Sequence, residues 1–418
     1  MHNWYVEGFE WTQKNLFVYP NEYVYWSIQI VMYPLITGLV AGSFVLSSLY
    51  HLFGLKELKD MAKFALVFSF ALLLGAPIPL LLHLQQPLRG IEIYLTPHFT
   101  SAISAFGVVY LTYALIVVSE IWFVYRPHFV KQAMELKEKR GPVNFILALL
   151  YRALTLGAYD IGPDALAADH KAIKFLAGIG VPSALFLHGY AGFIFGSVKA
   201  NALWMSPLIP IIFIMSAIVS GVALCIFTFT VIMEWKKHVA KKHLQGEALE
   251  TLRGSEIEMV RVTTRYLVYF MIVAFSLELL DLVFRGYTAV RSWEALEPVI
   301  FKRDWVDIFV KQYFMGYVLP FILLLWPRLN VRRALLATAL VVFGVYMMRW
   351  NTVIGGQEFS LTFKGFMDYV VPIIPHNYET FKEGFLGALT VGALPFVFFY
   401  FINKLIPSFP PVRRRDEP

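Results

Sequence analysis

Nine apolar stretches of spanning length divide the chain, at roughly 24–53, 60–83, 102–125, 172–197, 206–233, 262–284, 307–326, 333–349 and 385–404. About 20 apolar residues are enough to cross the hydrocarbon core of a bilayer as a helix. Inside lipid every backbone N–H and C=O must be bonded within the protein, so stretches this long read as helices. This pattern predicts an all-α polytopic membrane protein with about nine transmembrane helices. A tenth candidate, 142–157, is short and interrupted by Arg152. It reads as an amphipathic helix lying on the membrane surface. Composition agrees: 58% of the 418 residues are hydrophobic and only 16% charged, against about 25% charged in soluble domains.

The connections set the orientation. Lys56, Lys59 and Lys63 mark the first. Arg126, Lys131, Lys137, Lys139 and Arg140 mark the third, and Lys236, Lys237, Lys241, Lys242 and Arg253 the fifth. Arg328, Arg332 and Arg333 mark the seventh, and Arg413, Arg414 and Arg415 follow the last span. The positive-inside rule places these connections and the C-terminus in the cytoplasm, and the N-terminus outside. The sixth connection, 285–306, is mixed in charge and fits least well. The net charge of +7 therefore reflects topology, and no nucleic-acid partner is expected. Residues 1–23 form an outer segment with Trp4, Tyr5, Trp11, Tyr19 and Tyr23, a density of aromatics that suits an interface. The first 25 residues show no basic region followed by an apolar core, so no cleavable signal peptide is expected. The spans divide into a first four-helix bundle at 24–197, with a cytoplasmic loop at 126–171, and a second bundle at 206–349. An outer loop at 350–384, an extra helix at 385–404 and a cytoplasmic tail at 405–418 complete the chain.

An ionisable residue inside a span is costly and by default marks function. The fourth span carries His188 and Tyr190 beside Gly189, Gly192 and Gly196. The last two glycines are a GxxxG pair that lets another helix approach closely, and this helix is expected to form a wall of a pocket. Tyr33, Thr37, His83, Arg89, Trp204 and Arg349 fall at similar, outer depth. In the sixth span Glu278, Asp281 and Arg285 share one face by their offsets of three, four and seven. Asp281 and Arg285 can pair, which leaves Glu278 less compensated and suited to passing protons. The bland alternative is an ion-pair patch that locks helices together. His51, Glu120 and Glu234 lie scattered in the inner half.

Much chemistry has no support. No Walker A, dinucleotide-binding, HExxH or Gly-x-Ser-x-Gly pattern is present. The one cysteine, Cys225, excludes an internal disulfide. It also excludes an iron–sulfur cluster carried by this chain, since such a cluster needs about four thiolates. A b-type haem needs two histidines at matched depth. His83 and His188 offer at most one pair, and no haem is expected.

These residues resemble the NrfD/PsrC family of membrane subunits, from about 30 to 404. Ile36-Thr-Gly-Leu-Val-Ala-Gly42 is similar to the glycine-rich first span of the family. His83-Leu-Gln-Gln-Pro-Leu-Arg89 sits where the family has an Asp-Leu-Gly-Arg-Pro-type motif, with His83 in place of the acid and Gln86 in place of the arginine. Ser104 to Gly107, Tyr190-Ala-Gly192, Ala202-Leu-Trp204 with Pro207-Leu-Ile-Pro210, Leu277 to Gly286, and Arg349-Trp-Asn351 look like later signatures. The resemblance implies a two-bundle subunit of a respiratory oxidoreductase in a bacterial inner membrane. Such a subunit exchanges electrons between quinone, with menaquinone preferred, and an iron–sulfur subunit docked on the outer face. Quinone reduction is preferred over quinol oxidation. A molybdopterin-like or multihaem cytochrome c subunit would complete the complex, with the lipid bilayer around it.

On this reading His83, His188 and Tyr190 bond quinone or relay protons, with Tyr33, Thr37, Arg89 and Trp204 around them. Glu278 and Asp281 carry protons, and Arg285 and Arg349 tune them. His51 and Glu120, with Glu234, extend a path inward. Two other readings stand beside it: a proton- or ion-coupled transporter without redox partners, and a structural anchor for a peripheral enzyme.

Overall fold

The computed structural model describes residues 5–7, 24–98, 100–139, 141–240, 247–288, 291–358 and 366–409. Among them, nine helices are long and apolar enough to cross a membrane. They are α1 (Ile28–His51), α2 (Lys56–His83), α3 (Ala102–Lys137), α4 (Pro163–Gly196), α5 (Ile209–Val239), α6 (Ile257–Thr288), α7 (Val306–Leu325), α8 (Val331–Gln357) and α9 (Phe385–Leu405). The all-α polytopic architecture expected from hydropathy is therefore present. Trp4, Trp11, Tyr19, Tyr23, Lys241, Lys242, Arg140 and Arg413 to Arg415 lie outside the described residues.

Helices α1 to α4 pack on one another, as do α5 to α8, and α9 lies against α2 and α1. The two bundles meet mainly where α1 crosses α5, with α4 and α8 also at the seam. The crossing is backbone on backbone. A Cβ added to Gly221 would stand 2.6 Å from the Gly42 Cα, closer than any side chain tolerates. The GxxxG pair of α4 acts as its sequence suggests: a Cβ on Gly192 would meet the Pro210 Cα at 2.8 Å, and one on Gly196 the Ser206 carbonyl oxygen at 2.9 Å. Cys225 is buried in α5, its Sγ 3.2 Å from Ser43 Oγ of α1.

Helices α3 and α4 run well past the apolar stretches at 102–125 and 172–197. Hydropathy marks where a helix meets lipid, and the helix itself can continue into water. The projecting hairpin is tied by Arg126, whose Nε donates to both Asp169 carboxylate oxygens at 3.0 Å and whose Nη2 donates to Oδ2 at 2.6 Å. The helix Pro142–Leu154 packs on α3 through the tilted rings of Tyr151 and Phe129, and Trp122 donates to the Leu154 carbonyl at 2.8 Å. Val143, Phe145 and Ile146 on its other side are exposed. Helix α2 breaks at Ala76 and Pro77, where proline cannot supply the N–H that an uninterrupted helix needs.

Residues Val306–Val318 of α7 are wound as a π-helix. On an α-helix, residues five apart stand about 140° apart. The i→i+5 winding returns them to one face. This brings Gln312 and Tyr317 to the same side, toward α6. At the end of the molecule where α1 starts, strand β1 (Tyr5–Glu7) pairs antiparallel with β2 (Phe366–Asp368), a small element that hydropathy did not signal. Gln357 sews this cap to the start of α1: its Oε1 accepts from the backbone N–H groups of Tyr25 and Trp26 at 3.1 and 3.0 Å.

Candidate functional site

A cavity of about 830 Å³ opens in the first bundle, in the half nearer the start of α1. Its walls are Tyr33 of α1, the broken end of α2 from Pro77 to Leu84, the connection 86–98, and the start of α3 to Tyr110. The cavity lies beside the break at Ala76 and Pro77 in α2. The lining is mostly apolar, with Leu80, Leu81, Ile93 and Phe106 prominent, and a few polar groups converge on it. The Tyr33 hydroxyl is buried and has no hydrogen-bond partner. Arg89 lies at the rim, where Glu92 engages its Nε at 2.9 Å and Nη2 at 3.1 Å. This size and character suit a bound small molecule.

Of the residues singled out in the sequence, Tyr33 and Arg89 line this cavity, whereas Thr37, His83, His188, Tyr190 and Trp204 do not. No residue of the fourth span lines this cavity. The Thr37 hydroxyl is spent on the Tyr33 carbonyl one turn back, at 3.0 Å. Tyr190 stands behind Phe106, ring centroids 6.1 Å apart. Trp204 stacks on Trp26 at 5.1 Å and donates its indole N–H to the Thr352 carbonyl, so it fastens the two bundles together. His83 lies at the end of α2, its Nδ1 3.2 Å from Glu383 Oε2 and 3.3 Å from Ser27 Oγ.

His188 sits instead at the seam between bundles, completely buried with Arg349. Arg349 Nη2 lies 2.8 Å from His188 Nε2 and 2.8 Å from Ser216 Oγ, and its guanidinium lies 3.9 Å above the Phe213 ring. An arginine can only donate. His188 Nε2 is then the acceptor, and the imidazole is neutral with its proton on Nδ1. That Nδ1, like Arg349 Nε, has no hydrogen-bond partner. Gly38 of α1 makes room for the ring: a Cβ there would stand 3.1 Å from His188 Cε1.

Arg349 also shares an electrostatic interaction with Glu278, which leads into the second bundle. There Glu278 accepts from the Tyr317 hydroxyl at 2.6 Å and from Gln312 Nε2 at 2.8 Å. Asn351 donates to Gln312 at 2.7 Å and extends the chain. Asp281 pairs with Arg285 at 2.8 Å and accepts from the Ser206 hydroxyl. Arg285 in turn caps the Ala202 carbonyl at 2.9 Å. The expected pairing of Asp281 with Arg285 is thus present, and Glu278 is held by neutral donors. All three border a second cavity of only about 100 Å³.

The inner residues are less scattered than their spacing suggests. His51 Nδ1 lies 3.0 Å from Glu120 Oε1 and 3.2 Å from Ser47 Oγ, all buried. Glu120 Oε2 has no partner. Glu234 stands apart, its exposed carboxylate paired with the buried Lys237 at 3.0 Å. Sequence reasoning missed Gln312, Tyr317, Ser216 and Glu383. Polar uncharged residues in a span look like packing until a partner is known, and only the π-turn of α7 shows that Gln312 and Tyr317 act together. Among the described residues no group of three or more His, Cys, Asp or Glu side chains is placed to hold a metal ion.

Comparison with known proteins adds the family. The chain is 30% identical over 341 residues to a selenate reductase subunit of Mesobacillus selenatarsenatis, covering 80% of this chain and 74% of that one. It is 24% identical over 341 residues to a putative dimethyl sulfoxide reductase membrane subunit of Halobacterium salinarum, covering 80% and 69%. Over 228 residues it is 25% identical to an Hdr-like menaquinol oxidoreductase integral membrane subunit of Archaeoglobus fulgidus, covering 54% and 47%. The profile described as "Polysulphide reductase, NrfD" matches residues 19–360, a stretch that contains both bundles and all three buried polar clusters, and the chain is an integral membrane protein of the NrfD family.

Proposed function

We propose that this chain is the quinone-reactive membrane subunit of a respiratory reductase complex. Its substrate is a quinone, menaquinone by preference, bound in the outer cavity of the first bundle. An iron–sulfur subunit docks on the outer face, with a molybdopterin-like or multihaem cytochrome subunit beyond it. The membrane is the bacterial inner membrane, with the connection 126–171 and the C-terminus in the cytoplasm. The names of its relatives, all of them reductase or oxidoreductase subunits and one of them from a menaquinol oxidoreductase, support this assignment.

One observation carries the choice of site: Tyr33 lines a large apolar cavity, and its buried hydroxyl has no hydrogen-bond partner. A buried hydroxyl without a partner costs about 1–3 kcal/mol. A quinone carbonyl oxygen is an acceptor that removes this cost when Tyr33 donates to it, while the ring and tail cover Phe106, Leu80 and Leu81. Reduction consumes two electrons and two protons. Arg89 and Glu92 at the rim stand between the cavity and the outer side. The three buried clusters, His188 with Arg349, Glu278 with Asp281, and His51 with Glu120, have the bonding needed to hold protons within the membrane. They would couple turnover to proton movement, with Tyr190, Thr37, Trp204 and His83 serving to fix the frame around them.

The test is purification of the native complex with its quinone content measured, followed by quinone-linked turnover of Tyr33→Phe. Bound quinone together with a turnover at least ~10-fold lower in an intact complex, the scale of one lost transition-state hydrogen bond, is the expected result. A chain that purifies without quinone or redox partners overturns the proposal and puts an ion-coupled transporter, built on the Glu278 cavity, in first place.

A further inference from the structure

We infer that the inner ends of α7 and α8 form a binding site for one anionic phospholipid. The inference is independent of the quinone reading and lies on the opposite face of the molecule. A cleft of about 210 Å³ is lined by Ile322, Leu323 and Trp326 of α7 and by Arg333 of α8. Arg328, Arg332 and Arg333 cluster within six residues of one another. Three arginines elsewhere in the structure are paired with carboxylates: Arg126 with Asp169, Arg261 with Glu258, and Arg303 with Asp368. Among the described residues neither Arg333, which lines the cleft, nor its sequence neighbours Arg328 and Arg332 have such a partner.

Arg333 is pre-positioned. Its Nη2 donates to the Pro327 and Arg328 carbonyl oxygens, which fixes the side chain against the turn between the helices. Arg328 takes a left-handed backbone conformation at φ 57° in that turn, uncommon outside glycine. The Nε of Arg333, on the same edge as Nη2, is buried with no hydrogen-bond partner. Ile322, Leu325, Trp326 and Leu336 beside it are exposed and apolar. The arrangement therefore offers positive charge to a phosphodiester, and a greasy groove to an acyl chain. A soluble anion would use the first feature and leave the second bare. This is also the end of the molecule on which the lysine- and arginine-rich connections fall, where anionic lipid is drawn to basic clusters.

The experiment is native mass spectrometry of the full chain in detergent, titrated with dioleoyl phosphatidylglycerol or dioleoyl phosphatidylcholine. One equivalent of phosphatidylglycerol bound about tenfold or more tighter than phosphatidylcholine is expected. Arg332→Gln/Arg333→Gln reduces binding to the phosphatidylcholine level. Because Arg333 also holds the turn, Arg332→Gln alone and Ile322→Trp, which fills the groove without touching charge, are measured beside it, and each weakens the tight equivalent. Arg152→Gln, a basic residue on the same face, leaves it unchanged. Equal binding of the two lipids overturns the inference, as does an equal loss in the Arg152 control. Displacement of the lipid by millimolar inorganic phosphate overturns it too, by showing a plain anion site.

Discussion

The two bundles have the same number of helices and opposite interiors. In the half of the first nearer the start of α1, about 830 Å³ stands open beside the break in α2, mostly apolar, with Tyr33 and its unbonded hydroxyl among the lining residues. In the second, carboxylates occupy the equivalent region and only about 100 Å³ remains. There Glu278 and Asp281 have their oxygens bonded by Tyr317, Gln312, Ser206 and Arg285. One bundle is short of polar partners and has room, and the other has partners and little room. A bundle kept open must give up packing, and one that holds charge in lipid must satisfy it internally. The difference separates a place suited to take a substrate from a place suited to hold protons.

Three substitutions probe this contrast. The largest effect is expected where the bundles depend on each other. Gly42→Leu drives a side chain into the α5 backbone, and overpacking at a backbone contact costs about 3 kcal/mol or more. Thermal unfolding in detergent should show a large drop in midpoint, and an unchanged midpoint would remove the seam from the argument. Next is Glu278→Leu, which strands two buried donors, Gln312 and Tyr317. A loss of roughly 2–4 kcal/mol is expected from two unsatisfied groups, read from the same melt. Tyr33→Phe is the counterpart and should raise stability in the absence of quinone by about 1–3 kcal/mol, because it removes a buried hydroxyl that bonds nothing. If Tyr33→Phe destabilised the protein as much as Glu278→Leu, the contrast between an open and a filled interior would fail.

The smallest effect concerns the cap at the start of α1, where the two bundles respond to pH in opposite senses. Over the first, burial pushes the Glu383 carboxyl up, but hydrogen bonds from His83 and Ser27 outweigh it and hold it below the ordinary range. A lowered acid contributes stability that is present above its unfolded value, about 4.3, and lost as pH falls through the folded one. Over the second, burial raises Glu358 to about 7 and Asp304 to about 6 in spite of Arg303. A raised acid contributes stability that is present below about pH 4 and lost as pH rises toward 7. Amide hydrogen exchange across pH 4 to 8 should show protection at 355–358 falling with rising pH and protection at 378–383 falling only at the acid end. Glu358→Gln should flatten the first trend, and the same slope in both segments would contradict the assignment.

Sequence reading found the cavity only in part. Tyr33 and Arg89 stood out as polar groups at outer depth, and both line it. His188 stood out more strongly, and the structure places it at the seam instead. Depth along a helix can be read from hydropathy, but the direction in which a side chain points around that helix depends on which neighbour lies there. His83 illustrates the same limit, since its partner Glu383 is 300 residues away. The strand pair and the helical hairpin beyond α3 and α4 escaped notice because neither lies in lipid, where the hydropathy signal is made.

The chain by itself determined nine spans, their alternation, the GxxxG approach of α4 to α5 and the Asp281–Arg285 pair, because each follows from local spacing and from the cost of polar groups in hydrocarbon. Only the tertiary structure decided that Arg349 meets His188, that a π-wound α7 delivers Gln312 and Tyr317 together to Glu278, and that the space lies beside Tyr33. Those outcomes depend on how helices far apart in sequence cross, and at Gly42 and Gly221 that crossing is set by backbone contact between residues 179 positions apart.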